Sequence, residues 1–201
     1  PISYSSISKE HKIVREKVGV FDVSHMGEFI ISGSDSSNFL QKMTTNDLRK
    51  LQFGQAQYSL MCNENGGIID DLIIYKKRND YLLVVNASNR EKNLKWLKKH
   101  QSSNVLIKDI SDSIGLLAIQ GPKSRKILNQ LFDIDFEKLS FYHFKYGSIN
   151  GFNAMISRTG YTGELGYEIF VKSKNLIELW KNILSTGKKF GISPAGLGCR
   201  D

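Results

Sequence analysis

Apolar residues recur along the chain in two rhythms, and the change from one to the other marks the elements. Between Ser8 and Val18, Ile13, Val14 and Val18 share one side of a 3.6-residue period, which predicts a helix ended by Gly19. Val20 to Val23 and Glu28 to Gly33 read as short strands, and Asp35 or Ser36 can cap a helix carrying Phe39, Leu40 and Met43. Gln57 to Cys62 and Gly67 to Tyr75 are strand-like, and Asn63-Glu64-Asn65-Gly66 between them suits a tight reversal, so a hairpin is expected. Asp80 to Asn86 adds a strand, Ser88 and Glu91 form a capping box ahead of a helix with Leu94, Trp96 and Leu97, and Val105 to Ile110 reads as a further strand.

After Asp112 the order recurs. Ile114 to Gln120 is a strand, Gly121-Pro122 a helix entrance with Pro at its first position, and Ile127, Leu128 and Leu131 the buried stripe. Phe144 to Asn150 and Ala154 to Arg158 look paired, Gly166 to Val171 is another strand, and Leu176, Leu179, Trp180, Ile183 and Leu184 give one face of a helix from Asn175. Two mixed α/β layers side by side, an α+β chain with largely antiparallel sheets, is the economical architecture. No internal repeat or low-complexity linker interrupts it.

Composition narrows the class. With 40% apolar and 24% charged residues over 201 positions the chain has material for real cores, which excludes disordered and collagen-like readings. The two cysteines, Cys62 and Cys199, lie far apart without His or Cys at ligand spacing, so neither a zinc site nor a disulfide framework is expected, and a reduced, intracellular setting fits. No apolar run approaches the roughly 20 residues of a membrane span, and Pro1 to Ser8 has no signal-peptide pattern. The net charge of +8 is dispersed in small clusters such as Lys95, Lys98 and Lys99, and no nucleic-acid-binding motif accompanies it.

Three segments could carry chemistry. In the second hairpin strand, period two puts Ile69, Asp71, Ile73 and Tyr75 on one face and Ile68, Asp70, Leu72 and Ile74 on the other, so each face holds one carboxylate among apolar neighbours. At least one must be desolvated, hydrogen-bonded or near a ligand, unless both sit at the strand mouth with one solvated and one capping a turn. In Arg158 to Glu168, Gly160, Gly163 and Gly166 permit positive φ and close backbone approach, which could present Tyr161 and Glu168 to a flat ligand; an ordinary glycine-rich hairpin turn is the alternative. The spacing fits neither the dinucleotide fingerprint nor the Walker pattern. Pro194 to Asp201 is a run of small residues that delivers Arg200, by itself an ordinary surface or ion-pair residue. His25 reads as a structural hydrogen-bonder and Cys62 as buried.

Taken together, Val20 to Glu28, Asn63 to Leu72, Gln120-Gly121-Pro122, Arg158 to Glu168 and Pro194 to Asp201 resemble, in order and over essentially the whole chain, the aminomethyltransferase or T-protein family of the glycine cleavage system. That resemblance implies an enzyme taking the aminomethyl group from the lipoylated H protein, releasing ammonia and passing the carbon to tetrahydrofolate as co-substrate, with no metal, nucleic acid or membrane involved. By the same resemblance Asp71 is the acidic residue beside the folate nitrogens, Glu168 binds the pterin, Arg200 contacts folate, and Tyr161, Asn86 and Met26 line the same pocket. Family members are longer at both ends and carry a C-terminal β-barrel beyond the position of Asp201. The chain therefore corresponds to two folate-cradling domains with ferredoxin-like layers, the first from residues 1–27 and 114–201, the second from 28–113. A cytoplasmic location is implied, or the mitochondrial matrix in a eukaryote. A folate-dependent demethylase, the folate domain of a dimethylglycine or sarcosine dehydrogenase, and a noncatalytic folate-binding module are the rivals. The spelling Gly160-Tyr161-Thr162-Gly163-Glu164 favours the T protein, and the Cys-centred motif of the iron–sulfur assembly relatives is missing from the third segment.

Overall fold

The structure is a computed structural model that describes residues 1–201. In chain order its first half comprises α1 (Ile7–Glu16), β1 (Val18–Asp22), β2 (Gly27–Ser32), α2 (Ser36–Met43), β3 (Ala56–Cys62), β4 (Ile68–Lys76), β5 (Tyr81–Val85), α3 (Arg90–Lys99) and β6 (Leu106–Asp109). Then follow β7 (Ile114–Gln120), α4 (Ser124–Leu131), β8 (Phe144–Ile149), β9 (Phe152–Ser157), β10 (Gly166–Lys172), α5 (Leu176–Gly187) and β11 (Ile192–Pro194). The fold is α+β with two sheets, and the chain divides into a discontinuous unit of Pro1–Ser24 with Ser113–Asp201 and a continuous unit of His25–Asp112.

The discontinuous unit holds a six-stranded sheet in the order β11-β1-β7-β10-β9-β8, antiparallel except for the parallel β1/β11 edge pair. Its core lies where Val18, Val20, Leu117, Ile119, Tyr167 and Ile169 meet Ile127 and Leu128 of α4 and Leu179 and Ile183 of α5. Tyr167 is wholly buried, yet its hydroxyl is satisfied by Arg125 Nε at 2.9 Å. The continuous unit is a five-stranded antiparallel sheet, β3-β4-β5-β2-β6, with Phe29, Ile31, Leu72, Ile74, Leu83 and Val85 packed with Phe39, Leu40 and Leu97 from α2 and α3. No helix is long and apolar enough to cross a membrane.

Several local expectations are corrected. The first helix stops at Glu16, and Gly19 belongs to β1 instead of ending the helix. A Cβ on Gly19 would lie 2.6 Å from Val14 Cγ2, so glycine there lets α1 press onto its own strand. Pro122 is not the first helical residue: Gly121 adopts φ +130°, Ser124 N–H donates to Gly121 O at 3.0 Å, and the helix starts after that turn. Ser88 and Glu91 make no capping box, because Ala87–Asn89 forms a 3-10 turn that hands the cap position to Asn89. Asp35 does stand at the cap of α2, but its carboxylate takes the Asn38 amide at 2.9 Å and no backbone N–H. A register shift between Met61 and Cys62 breaks the alternation of β4, so Ile69 packs toward the helix side with Leu72 and Ile74 instead of sharing a face with Asp71. Cys62 is half-buried, not buried.

Candidate functional site

In the continuous unit, Asp70 and Asp71 are separated by the pleat of β4, and the two carboxylates are treated differently. Asp70 points to the helix side and is buried, held by three side-chain amides: Asn86 at 2.9 Å, Asn89 at 2.8 Å and Asn93 at 2.5 Å. Spacings of three and four residues bring Asn86, Asn89 and Asn93 to one side of the turn that enters α3. A buried carboxylate needs such donors, because water is no longer there to solvate it.

Asp71 is on the other face and only half-buried. Its Oδ2 accepts the Tyr58 hydroxyl at 2.9 Å and its Oδ1 accepts Asn86 Nδ2 at 2.5 Å. Tyr58 reaches it diagonally across the β3/β4 ladder, since Tyr58 pairs with Ile73 and Leu60 with Asp71. Asn86 therefore ties both carboxylates with one amide group: one is fixed in the interior, the other is held in a set orientation with lone pairs to spare. Gly27 pairs with Val85, so Met26 and Asn86 leave neighbouring strands at adjoining ends. A Cβ on Gly27 would meet Val85 Cγ2 at 2.7 Å, which accounts for glycine after Met26.

The same sheet carries a second unusual acid. Glu28 of β2 is fully buried, neither carboxyl oxygen has a hydrogen-bond partner in the chain, and burial pushes its pKa up to about 8. Arg90 pulls the value down and Asp109 and Asp112 push it up, but the arginine is occupied by both aspartates, at 2.9 Å each.

In the discontinuous unit, Glu168 sits on β10 opposite Ala118 of β7 and Ser157 of β9. Its Oε2 accepts the Thr159 hydroxyl at 2.5 Å. Burial, and then the Glu168 charge, raise the pKa of Tyr142, which places that phenol near the carboxylate. The glycine-rich segment before it is explained from within the chain. The Gln120 carboxamide passes under Gly160 and Gly166, where added Cβ atoms would lie 2.3 and 2.1 Å from its Oε1, and it bonds Thr159 O, Tyr167 O and the Thr162 hydroxyl. Gly163 supplies the turn at φ +71°. Two of the three glycines thus make room for a glutamine and not for a ligand. Tyr161 stands out from this wrapped loop, 73% exposed, with the Arg200 guanidinium 5.1 Å from its ring centroid.

Of the six residues singled out by sequence, the structure joins Asp71 to Asn86 and Tyr161 to Arg200, sets Met26 at the strand end beside Asn86, and gives Glu168 a separate partner in Thr159. Tyr58, Asn89 and Asn93 were missed. The two asparagines carried a readable signal in their helical spacing after Asn86, whereas Tyr58 depends on a hairpin register that a bulge alters. No group of three or more His, Cys, Asp or Glu side chains is placed to hold a metal ion.

Known proteins are similar to this chain over all of residues 1–201. The aminomethyltransferases of Geobacillus sp. (strain WCH70) and Bacillus subtilis (strain 168) are each 51% identical over 203 residues, covering 100% of this chain and 56% of the relative. The crystal structure of the glycine cleavage system aminomethyltransferase T from Bartonella henselae superposes with a TM-score of 0.88 at 30% identity, covering 100% of this chain and 54% of that one. A chain of the heterotetrameric sarcosine oxidase from Corynebacterium sp. U-96 shares the fold, with a TM-score of 0.68 at 13% identity over 93% of this chain and 94% of that one. The chain spans about half the length of the aminomethyltransferases it matches. Residues 1–201 match the family described as the GCVT N-terminal domain, and the chain belongs to that family.

Proposed function

We propose that this chain is the folate-cradling part of a glycine-cleavage aminomethyltransferase, which moves a one-carbon unit from the aminomethylated lipoyl arm of the H protein to tetrahydrofolate. In that reaction the carbon leaves sulfur and the amine and becomes bonded to folate N5 and N10. The two N–H protons depart on ammonia and on the freed thiol, and 5,10-methylenetetrahydrofolate remains. The family membership and the relatives' names support the reaction class, and their bacterial sources fit action in the cytoplasm.

The observation that carries the reading is the fixed Asp71 carboxylate. Breaking the carbon–nitrogen bond builds positive charge on carbon, and an oriented carboxylate stabilises it while accepting a proton from an attacking nitrogen. Tyr58 and Asn86 occupy one lone pair on each oxygen and hold the group still, so little reorganisation is needed as charge develops. Glu168 suits the pterin for a different reason: a carboxylate can accept two parallel N–H bonds from a 2-aminopyrimidinone edge. Arg200, presented over Tyr161, supplies a cation for the acidic tail of folate, and in the continuous unit Asn86 orients Asp71 with Met26 at the adjoining strand end.

The test uses the full-length enzyme with aminomethylated H protein. Asp71→Asn is expected to slow transfer by about 10²- to 10⁴-fold while tetrahydrofolate affinity in calorimetry stays nearly unchanged. Glu168→Ala is expected to weaken that affinity. Wild-type turnover in the Asp71 variant, or wild-type affinity in the Glu168 variant, rejects the corresponding role, and tetrahydrofolate binding without any ammonia release would mark a noncatalytic folate module.

A further inference from the structure

Glu10, on the first turns of α1, has no role in the reaction just described, yet it is completely buried and pairs with no lysine or arginine. Charged side chains are rarely so placed unless their lone pairs are taken. Here four donors take them. Oε1 accepts Tyr4 N at 2.7 Å, Ser5 N at 2.6 Å and the Ser5 hydroxyl at 3.2 Å, and Oε2 accepts Gly196 N at 2.8 Å across 186 residues of sequence. Burial alone raises its pKa, but the Gly196, Ser5 and Tyr4 donors outweigh this and the net displacement is downward.

The carboxylate thus binds two segments at once. Leu197 N donates to Pro1 O at 3.1 Å and Gly198 N to Ile2 O at 3.0 Å, so residues 1–5 lie along residues 196–198. The contact is too close for any side chain, since a Cβ on Gly196 would lie 2.2 Å from Ile2 O. Directly beyond it, Leu197–Cys199 form a 3-10 turn that closes with Arg200 N donating to Leu197 O at 3.1 Å. The anchor on Gly196 therefore sets the base of the turn whose last residue lays its guanidinium over Tyr161. Arg200 Nε is shielded from solvent and has no acceptor in the chain, so the side chain is oriented without being spent on an ion pair.

We propose that Glu10 is the positioning residue for Arg200: its buried carboxylate latches the amino-terminal segment to Gly196 and thereby holds the arginine ready for a folate. This rests on the reading of Arg200 as a folate contact. Glu10→Gln dissects the latch, because the amide oxygen can still serve Tyr4 and Ser5 while the amide N–H₂ would face the Gly196 N–H, donor against donor. Gly196→Ala breaks the same contact from the other side.

The experiment compares the full-length wild type, Glu10→Gln, Arg200→Ala and the double variant for tetrahydrofolate affinity by calorimetry and for urea midpoint. Glu10→Gln is expected to weaken affinity about tenfold in the presence of Arg200 and by less than about twofold in its absence, while the fall in urea midpoint is the same in both backgrounds. Gly196→Ala should reproduce that pattern, and it carries the comparison if Glu10→Gln does not fold. An equal loss of affinity in both backgrounds, or unchanged affinity in Glu10→Gln alone, overturns the positioning role. If Arg200→Ala alone binds like wild type, the Arg200 assignment falls and takes this proposal with it, a pattern distinct from the other two.

Discussion

The buried Glu28 makes the stability of the continuous unit depend on pH in the opposite sense to an ordinary paired carboxylate. Its backbone is well held, with Glu28 N donating to Ser111 Oγ at 2.8 Å and Ile110 N to Glu28 O at 2.9 Å, while the carboxyl oxygens have nothing to accept from. In the unfolded chain the group titrates near 4.5, and in the folded chain near 8. Between those values the native state binds the extra proton, so stability falls as pH rises, at up to about 1.4 kcal/mol per pH step of one. The contribution is complete below about 4.5 and gone once the pH has passed about 8, a total on the order of 5 kcal/mol. Glu28→Gln keeps the shape and removes the titration. The chain has two tryptophans, Trp96 in the continuous unit and Trp180 in the other, so a Trp180→Phe background lets Trp96 fluorescence follow this unit alone through urea unfolding. The Gln variant should match the parent near pH 5 and exceed it by several kcal/mol at pH 9. Parallel curves across that range would show that Glu28 ionises in the native state without penalty and refute the reasoning.

Other consequences are smaller. Asn93→Ala removes one of the three amides around buried Asp70 and should cost about 1–3 kcal/mol in urea unfolding; no loss would mean that Asp70 does not depend on the cage. Gly166→Ala drives a Cβ to 2.1 Å from Gln120 Oε1, so it should lower stability by about 1–3 kcal/mol, and Gln120→Ala in the same chain should recover part of it. A thermal melt in which Gly166→Ala is neutral would contradict the packing account. Arg15→Ala removes the 2.7 Å pair with Glu164 at a solvent-exposed site and should cost less than about 1 kcal/mol, read as a small change in melting temperature.

The elements legible in the sequence are those whose evidence is local. Tyr81 to Val85 and Ile114 to Gln120 are nearly continuous apolar runs, buried on both faces, and α5 announces itself by Leu179 and Ile183 one turn apart. The failures come where a distant partner outbids a local one. Ser88 and Glu91 have the right spacing for a cap, but the chain around Asn86 and Asn89 is set by their bonds to Asp70. β11 is three residues of parallel edge strand, too short to show a period, and depends on β1. Asp71 and Glu168 were named through family resemblance, but nothing local reveals that Tyr58 and Thr159 hold them. Glu10 reads as one more charge on the polar side of an amphipathic helix until Gly196 is seen beside it.

The order of β11-β1-β7-β10 has a consequence for how the chain is made. β1 leaves the ribosome before residues 25–112, with Val18, Val20 and Phe21 destined for full burial, yet its neighbours β7 and β11 both follow that stretch. At 5–20 residues per second, the interval between synthesis of Val18 and of Ile192 is on the order of ten to thirty seconds. Meanwhile residues 25–112, an uninterrupted stretch, already contain every strand of their own sheet. A nascent protein of this design carries an unmated sticky strand ahead of the continuous unit until β7 has been made, so chaperone demand should concentrate on the segment around β1.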